Sequence, residues 1–299
     1  MTKKLFAASV GLSLSLAMGA ASGAAPVDAR SEFLAAYYKG YVAKLGWGTV
    51  SYVKATPFHS ASLKAALDGN KQACALLSRG DDICGFGADG DPFLDAQDMA
   101  EGLVFERMAF AARPLDDSVV DVSFTVFPAN PKAERSNLRF VMVDEGGLWR
   151  VDDVQYKVKG KFTPENTMRR RIDDENAALE KKARDVKETA SWLAVYTETP
   201  MPLRFVRFVN YPLQICAKGA ACKSYSRKDA PIRKLVGDIN AKYAPKSKPK
   251  VAVKSPLRGA AVKQPAQFGE GSVVKSGPFD FTFRQKAWWL TKVDWNRPS

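Results

Sequence analysis

Leu138-Arg-Phe-Val-Met-Val-Asp-Glu-Gly-Gly-Leu-Trp-Arg-Val-Asp-Asp-Val154 is the stretch that decides the fold. Leu138, Phe140 and Met142 fall on alternate positions and therefore share one face of a strand. Asp144-Glu145-Gly146-Gly147 is turn chemistry, because two consecutive glycines accept the backbone angles of a tight reversal. Trp149-Arg-Val-Asp-Asp-Val154 then runs back, which makes an antiparallel hairpin. Upstream, Val120, Val122, Phe124 and Val126 alternate with more polar neighbours and predict another strand.

Helical spacing precedes these strands. Phe33, Leu34, Tyr37, Tyr38, Tyr41, Val42 and Leu45 recur at that period, with Ser31 placed to cap the helix. A second helix is expected from about Ser60 to Leu77, with Leu63, Leu67 and Leu76 on its apolar side. A loop rich in Gly and Asp follows, from Gly80 to Gly90. Helices first and an antiparallel meander after them is an α+β arrangement.

Beyond the hairpin, a long charged helix is expected from near Thr163 to about Tyr196, with Pro164 in its first turn. Phe205, Val206, Phe208, Val209, Tyr211 and Leu213 read as a buried strand broken by Pro212. Asp229 to Tyr243 reads as a short helix. A second hairpin closes the chain, with Phe279, Phe281 and Phe283 alternating on one strand and Trp289, Thr291, Val293 and Trp295 on the next. The expected organisation is a first α+β domain over 31–160, a charged connecting helix over 161–198, and a basic α+β domain over 199–299. The last includes a mobile Lys/Pro-rich loop at 242–267, whose composition is too polar to bury.

The first residues form three zones. Lys3 and Lys4 are basic, Leu5 to Met18 is uncharged and mostly apolar, and Gly19 to Ala25 is small. This is the pattern of a secretory signal, here 1–24, with cleavage between Ala24 and Ala25. The apolar run is shorter than the roughly 20 residues that span a bilayer. No later run is long enough either, so the expectation is a protein without a transmembrane segment, soluble in the periplasm of a Gram-negative bacterium or secreted. No Cys near the cleavage site offers a lipid attachment point.

Four cysteines allow three pairings. The close pairs lie far apart, so disulfides Cys74–Cys84 and Cys216–Cys222 are expected. A metal or redox site is the alternative, but neither pair has CxxC spacing and the single histidine, His59, is remote in sequence.

Charge is distributed unevenly. Residues 25–160 hold 15 Lys/Arg and 19 Asp/Glu, and residues 161–198 hold eight of each. Residues 199–299 hold 20 Lys/Arg against five Asp/Glu, a net +15 that accounts for the +13 of the whole chain. So basic a region first brings nucleic acid to mind, but export argues against that partner. The expected partner is an anionic envelope component (lipopolysaccharide or anionic lipid) or an acidic protein. The expected contacts are Lys246, Lys248, Lys250, Lys254, Arg258 and Lys263.

Three pieces of the first region carry a family resemblance: Phe33-Leu34 with Tyr37-Tyr38, the segment Asp91-Pro-Phe-Leu-Asp-Ala-Gln-Asp98, and Leu148-Trp-Arg-Val-Asp-Asp-Val154. Residues 31–160 resemble a bacterial family of uncharacterised domains, the domain of unknown function numbered 3828. That family looks like the nuclear transport factor 2-like (cystatin-like) superfamily, in which helices form a cone on a curved antiparallel sheet. The resemblance implies a cone-type fold with a pocket, and a weaker likeness in the C-terminal region implies a second such domain. It hands over no catalytic residues.

Candidate chemistry is sparse. Asp152 and Asp153 adjoin on the Trp149 strand, so one of them is expected to face inward, where it could act as a general base if burial raises its pKa; the alternative is an outward, solvated or salt-bridged pair. Asp152, Asp153 and Trp149 are thus the candidate pocket residues. The acidic loop from Asp81 to Asp98 has oxygen ligands for Ca²⁺, but its spacing is not that of an EF-hand, and Asp91 or Asp95 is more simply the cap of a helix beginning near Pro92. No phosphate-cradling glycine loop, zinc spacing or nucleophile elbow is present. No cofactor, metal or catalytic residue is assigned. The expected function is a non-enzymatic binding protein of the envelope, whose basic C-terminal domain contacts the anionic component. The alternatives are a small-molecule binder or enzyme in the N-terminal pocket, and a periplasmic immunity or inhibitor protein.

Overall fold

The computed structural model describes residues 28–43, 58–78, 83–243, 256–257 and 262–298. Residues 1–24, with their signal-like zones, lie outside them, as do Asp81, Asp82, Lys246, Lys248, Lys250, Lys254 and Arg258. The fold is α+β, with two five-stranded sheets.

Helices α1 (Ala29–Val42) and α2 (Ala61–Leu77) come first. Asp28, not Ser31, caps α1, its carboxylate accepting from Arg30 N and Ser31 N. Ser60 caps α2 through Leu63 N. The first sheet is a meander of β1 (Ala111–Pro114), β2 (Val119–Phe124), β3 (Ser136–Asp144), β4 (Trp149–Val158) and β5 (Lys161–Thr167), antiparallel throughout and in sequential order. The β3–β4 hairpin forms as its sequence predicts, with Gly146 and Gly147 at φ +67° and +82°. Tyr37, Tyr38, Phe93, Phe124 and Phe140 fill the space between α1 and this sheet, and all are fully buried.

The long charged helix is not formed. Residues 161–167 instead pair with β4 as an edge strand. Helix α3 (Met168–Ala183) starts only after Thr167, whose hydroxyl accepts from Arg170 N. Asp185 then caps a separate α4 (Val186–Glu198) by accepting from Lys187 N, which breaks the helix between Ala183 and Val186. Pro164 sits in the edge strand, a place where a missing N–H is tolerated.

The second half begins with α5 (Pro202–Phe205) and a 3₁₀ turn over Val206–Phe208, so the expected strand starts only at Val209. Its elements are β6 (Val209–Cys216), β7 (Cys222–Tyr225), α6 (Ile232–Tyr243), β8 (Val273–Ser276), β9 (Phe279–Arg284) and β10 (Ala287–Asp294). The sheet order is β7-β6-β10-β9-β8, and β6 and β10 run parallel. This order differs from the first sheet, so the two hairpins that echo each other in sequence belong to sheets of different topology. Phe205, Phe208, Phe279, Phe281, Trp288 and Tyr196 build its core. A bulge near Thr291 breaks the predicted alternation in β10. The bulge puts Val293 on the same core face as Trp288 and Leu290, while Trp289, on the other face, joins a small third cluster with Leu77, Leu179, Ala183 and Ala287 that links α2, α3 and β10.

The expected loop at 242–267 is partly anchored. Tyr243 ends α6 in the core, and Leu257 and Val262 are buried in the same core. Gln264 clasps the α3–α4 break, accepting from Val186 N and donating to Arg184 O. Composition alone overlooked the few apolar residues that suffice to tie such a segment down. Both expected disulfides are present, Cys74–Cys84 and Cys216–Cys222.

Candidate functional site

The predicted pocket residues lie together, but they do not line the interior of the first half. Between Val141 and Met142 the β3–β4 register shifts, with Val141 opposite Asp153 and Met142 opposite Val151. Asp152 is the extra residue of this bulge. The bulge lets Val151 and Val154 both point into the core and turns the two carboxylates away from it. Asp152 accepts from Ser60 Oγ at 2.6 Å and from Arg169 Nη2 at 2.7 Å. Asp153 accepts from Arg169 N and Val154 N. Burial pushes its carboxyl above the ordinary range, against the pull of these donors. Trp149 is half-buried beneath the Arg30 guanidinium, 5.6 Å from its ring centre. The arrangement joins α2, β4 and α3, which is a structural task.

Inside the first half sits a polar cluster that the sequence did not advertise. Asp91 does not cap a helix. Its Oδ1 accepts from Phe93 N and Leu94 N, and its backbone bridges to Ala96, so it caps a tight turn. Oδ2 accepts from Tyr41 OH at 2.8 Å. Burial raises the Asp91 carboxyl above its usual range, although these three donors oppose the shift. His59 is buried, stacked on Phe93 with ring centres 5.1 Å apart, and its Nε2 has no hydrogen-bond partner. Burial lowers its pKa to about 4. Neutral at ordinary pH, it is a core residue.

Among the described residues of the acidic loop, metal ligands do not converge. Among the described residues the cluster of metal-ligating types is Cys74, Cys84 and Glu175, and there both sulfurs are spent in a disulfide. Glu175 is engaged as well, accepting from Gly85 N and Asn70 Nδ2.

The basic half carries a groove. Helix α6 is amphipathic: Ile232, Leu235, Val236 and Ile239 enter the core, and Arg233, Lys234, Asp238 and Lys242 line the outside. Where α6 meets β6 and the end of β10, a hollow of about 470 Å³ opens. Its floor is apolar, with Ile215, Leu235 and Trp295, and Lys218, Lys234 and Lys242 stand around it. Lys234 pairs with Asp238 at 2.7 Å. The Lys242 ammonium lies about 5 Å from the Tyr243 and Trp295 ring centres, a cation–π arrangement. An adjoining hollow of about 530 Å³ shares Pro231 and Lys234 and adds Arg227, Arg233 and Leu203, which is 82% exposed. Of the predicted contacts in the basic tract, Lys263 alone falls among the described residues, and it is exposed. Sequence reasoning missed the groove because its residues are scattered from 203 to 295.

No family model matches the chain, and no curated protein matches it. A crystal structure of a protein of unknown function from Bacteroides thetaiotaomicron VPI-5482 is similar at 18% identity and a TM-score of 0.30. The similarity covers 41% of this chain and 85% of that one.

Proposed function

We propose that this is an exported binding protein whose C-terminal half holds phosphate-bearing amphiphiles of the cell envelope, anionic phospholipid or lipopolysaccharide. The observation that carries this reading is the α6 groove: an apolar floor of Ile215, Leu235 and Trp295 ringed by Lys218, Lys234 and Lys242, in a region of net +15. An acyl chain suits the floor and phosphate oxygens suit the ammonium groups. The tract from Lys246 to Lys263 adds long-range attraction, which salt screens. Export rests on the signal-like residues 1–24 and agrees with two disulfides, which persist in oxidising compartments.

Sedimentation with vesicles tests it. Phosphatidylglycerol vesicles and lipopolysaccharide are expected to retain the protein at low salt and release it at high salt, and phosphatidylcholine vesicles to leave it in solution. Replacing Lys218 and Lys242 with Ala is expected to weaken binding about fivefold for each lysine. Equal binding to phosphatidylcholine, or none to either anionic surface at low salt, overturns the reading. Retention of an acidic protein from an envelope extract in place of lipid would move the partner to protein.

A further inference from the structure

The hollow beside the α6 groove ends in a bare apolar tip. Leu203 is more exposed than any other large apolar side chain among the described residues. It stands on α5, whose inward face is the fully buried Phe205. Two residues of helix turn the chain by about 200°, so a buried Phe205 sends Leu203 to the opposite side. One exposed leucine is ordinary in itself, but the way this one is held is not. Pro202 fixes the backbone at the start of the helix. Met201 O accepts from Arg204 N and Phe205 N, and Met201 N donates to Tyr196 O at the end of α4. From α6, the Asn240 amide donates to Thr197 O and Glu198 O. The end of α4, α5 and α6 are thereby tied into one block, and Leu203 is a fixed wedge upon it.

The surroundings of the wedge are cationic. The hollow that it borders has apolar walls of Pro202, Val206 and Ile232 and carries Arg227, Arg233 and Lys234, all three exposed. Among the described residues no acidic side chain lines it. The acids nearby on the chain are engaged, Asp238 with Lys234 and Asp229 with the Ser226 hydroxyl.

An apolar wedge beside cations matches a surface that is anionic outside and apolar beneath. A second copy of this chain would bring the same cations against these, so charge disfavours it. An anionic leaflet has phosphates at its surface and hydrocarbon within reach of a side chain that sinks roughly 5–10 Å. We infer that Leu203 inserts into the acyl layer of an anionic phospholipid leaflet, with Arg227, Arg233 and Lys234 on the phosphates above it. The inference rests on the reading of the α6 groove as a site for phosphate-bearing amphiphiles and says how such a molecule arrives. The hollow and the groove share Pro231 and Lys234, so docking on Leu203 brings the groove beside the leaflet, and the amphiphile enters it from there without crossing water.

A polarity-sensitive fluorophore, NBD, tests it. The full chain carries the label on Leu203→Cys or, as a control, on Lys132→Cys, an exposed position in the first half. On phosphatidylglycerol vesicles at low salt, the label at 203 is expected to shift its emission to the blue and to be quenched by doxyl-labelled acyl chains, and the label at 132 to stay in water. Leu203→Ser is expected to weaken vesicle binding about tenfold, the effect of losing a partly buried leucine contact, and Leu203→Phe to retain it. Both variants are expected to keep the parent's urea midpoint, since the side chain is exposed. A chain that fails to sediment with the vesicles at low salt overturns this inference and the groove reading together. A chain that sediments with its label at 203 still in water, or Leu203→Ser binding as tightly as the parent, overturns insertion alone. A blue shift at 203 that grows with protein concentration in the absence of vesicles puts a second copy of the chain on the tip and overturns insertion as well.

Discussion

His59 makes acid the weak side of the first half. The imidazole is buried against Phe93 with no partner for Nε2, and burial lowers its pKa from 6.5 to about 4. The unfolded chain therefore takes up the proton first as pH falls. For a depressed pKa of this kind, the stability is present above the unfolded value and is lost on the way down through the folded one. The two pKa values give a loss of about 2 kcal/mol at pH 5 and about 3 kcal/mol at pH 4, at 1.36 kcal/mol per unit. His59→Phe keeps a ring against Phe93 and cannot titrate. At neutral pH the variant is expected within about 1.5 kcal/mol of the parent, as for a volume-conserving core change. Urea unfolding followed by tryptophan and tyrosine fluorescence at pH 7, 6, 5 and 4 gives the difference between the two proteins. All other carboxyls are common to both and cancel, Asp91 included. The variant is expected to gain on the parent by the amounts above as pH falls. Parallel losses in the two proteins would show that His59 is protonated in place at no cost to the fold, against the expected outcome.

Asp91→Ala leaves three buried donors, Phe93 N, Leu94 N and Tyr41 OH, without their acceptor and is expected to cost about 3 kcal/mol. Because the Asp91 carboxyl is raised in the fold, it favours the folded state most below the ordinary value of 3.8 and loses that contribution as pH rises, so the cost of Asp91→Ala is expected to grow on acidification; urea midpoints at two pH values show the sign. Replacing Cys216 and Cys222 together with Ser opens a short loop and is expected to cost about 2 kcal/mol by chain entropy, read from thermal unfolding with and without reductant. Gln264→Ala removes two hydrogen bonds at the α3–α4 break and is expected to cost about 1–2 kcal/mol and to speed proteolysis between residues 244 and 264.

Much of the fold was legible where one rule acted alone. The β3–β4 hairpin, α2 behind Ser60, α6 and both disulfides follow from alternation, capping, helical spacing and cysteine proximity. Expectation failed where two rules competed. Glu, Lys and Arg over 161–198 are good helix formers, so the backbone pairing of β5 and a one-residue cap at Asp185 went unseen. Asp152 and Asp153 looked like an inside–outside pair because alternation was assumed, and a bulge removed it. Nothing local in the sequence shows that His59 is drawn inward by its strand-like contact with Val151. The groove needed the tertiary fold, because it gathers residues as far apart as Ile215 and Trp295.

The parallel pairing of β6 with β10 sets an order of events in time. β10 lies at the centre of its sheet, held by β6 on one side and β9 on the other. A chain cut before Ala287 is left with two separate two-stranded ribbons, and such ribbons are at best marginal in water. The meander of the first half closes between neighbours and can form while the rest is still being made. The second half must wait for the final strand, with Phe279, Phe281 and Phe283 uncovered meanwhile. A nascent chain would thus need a holding chaperone for its last third alone, and a frameshift late in the reading frame would do as much harm as one near the middle.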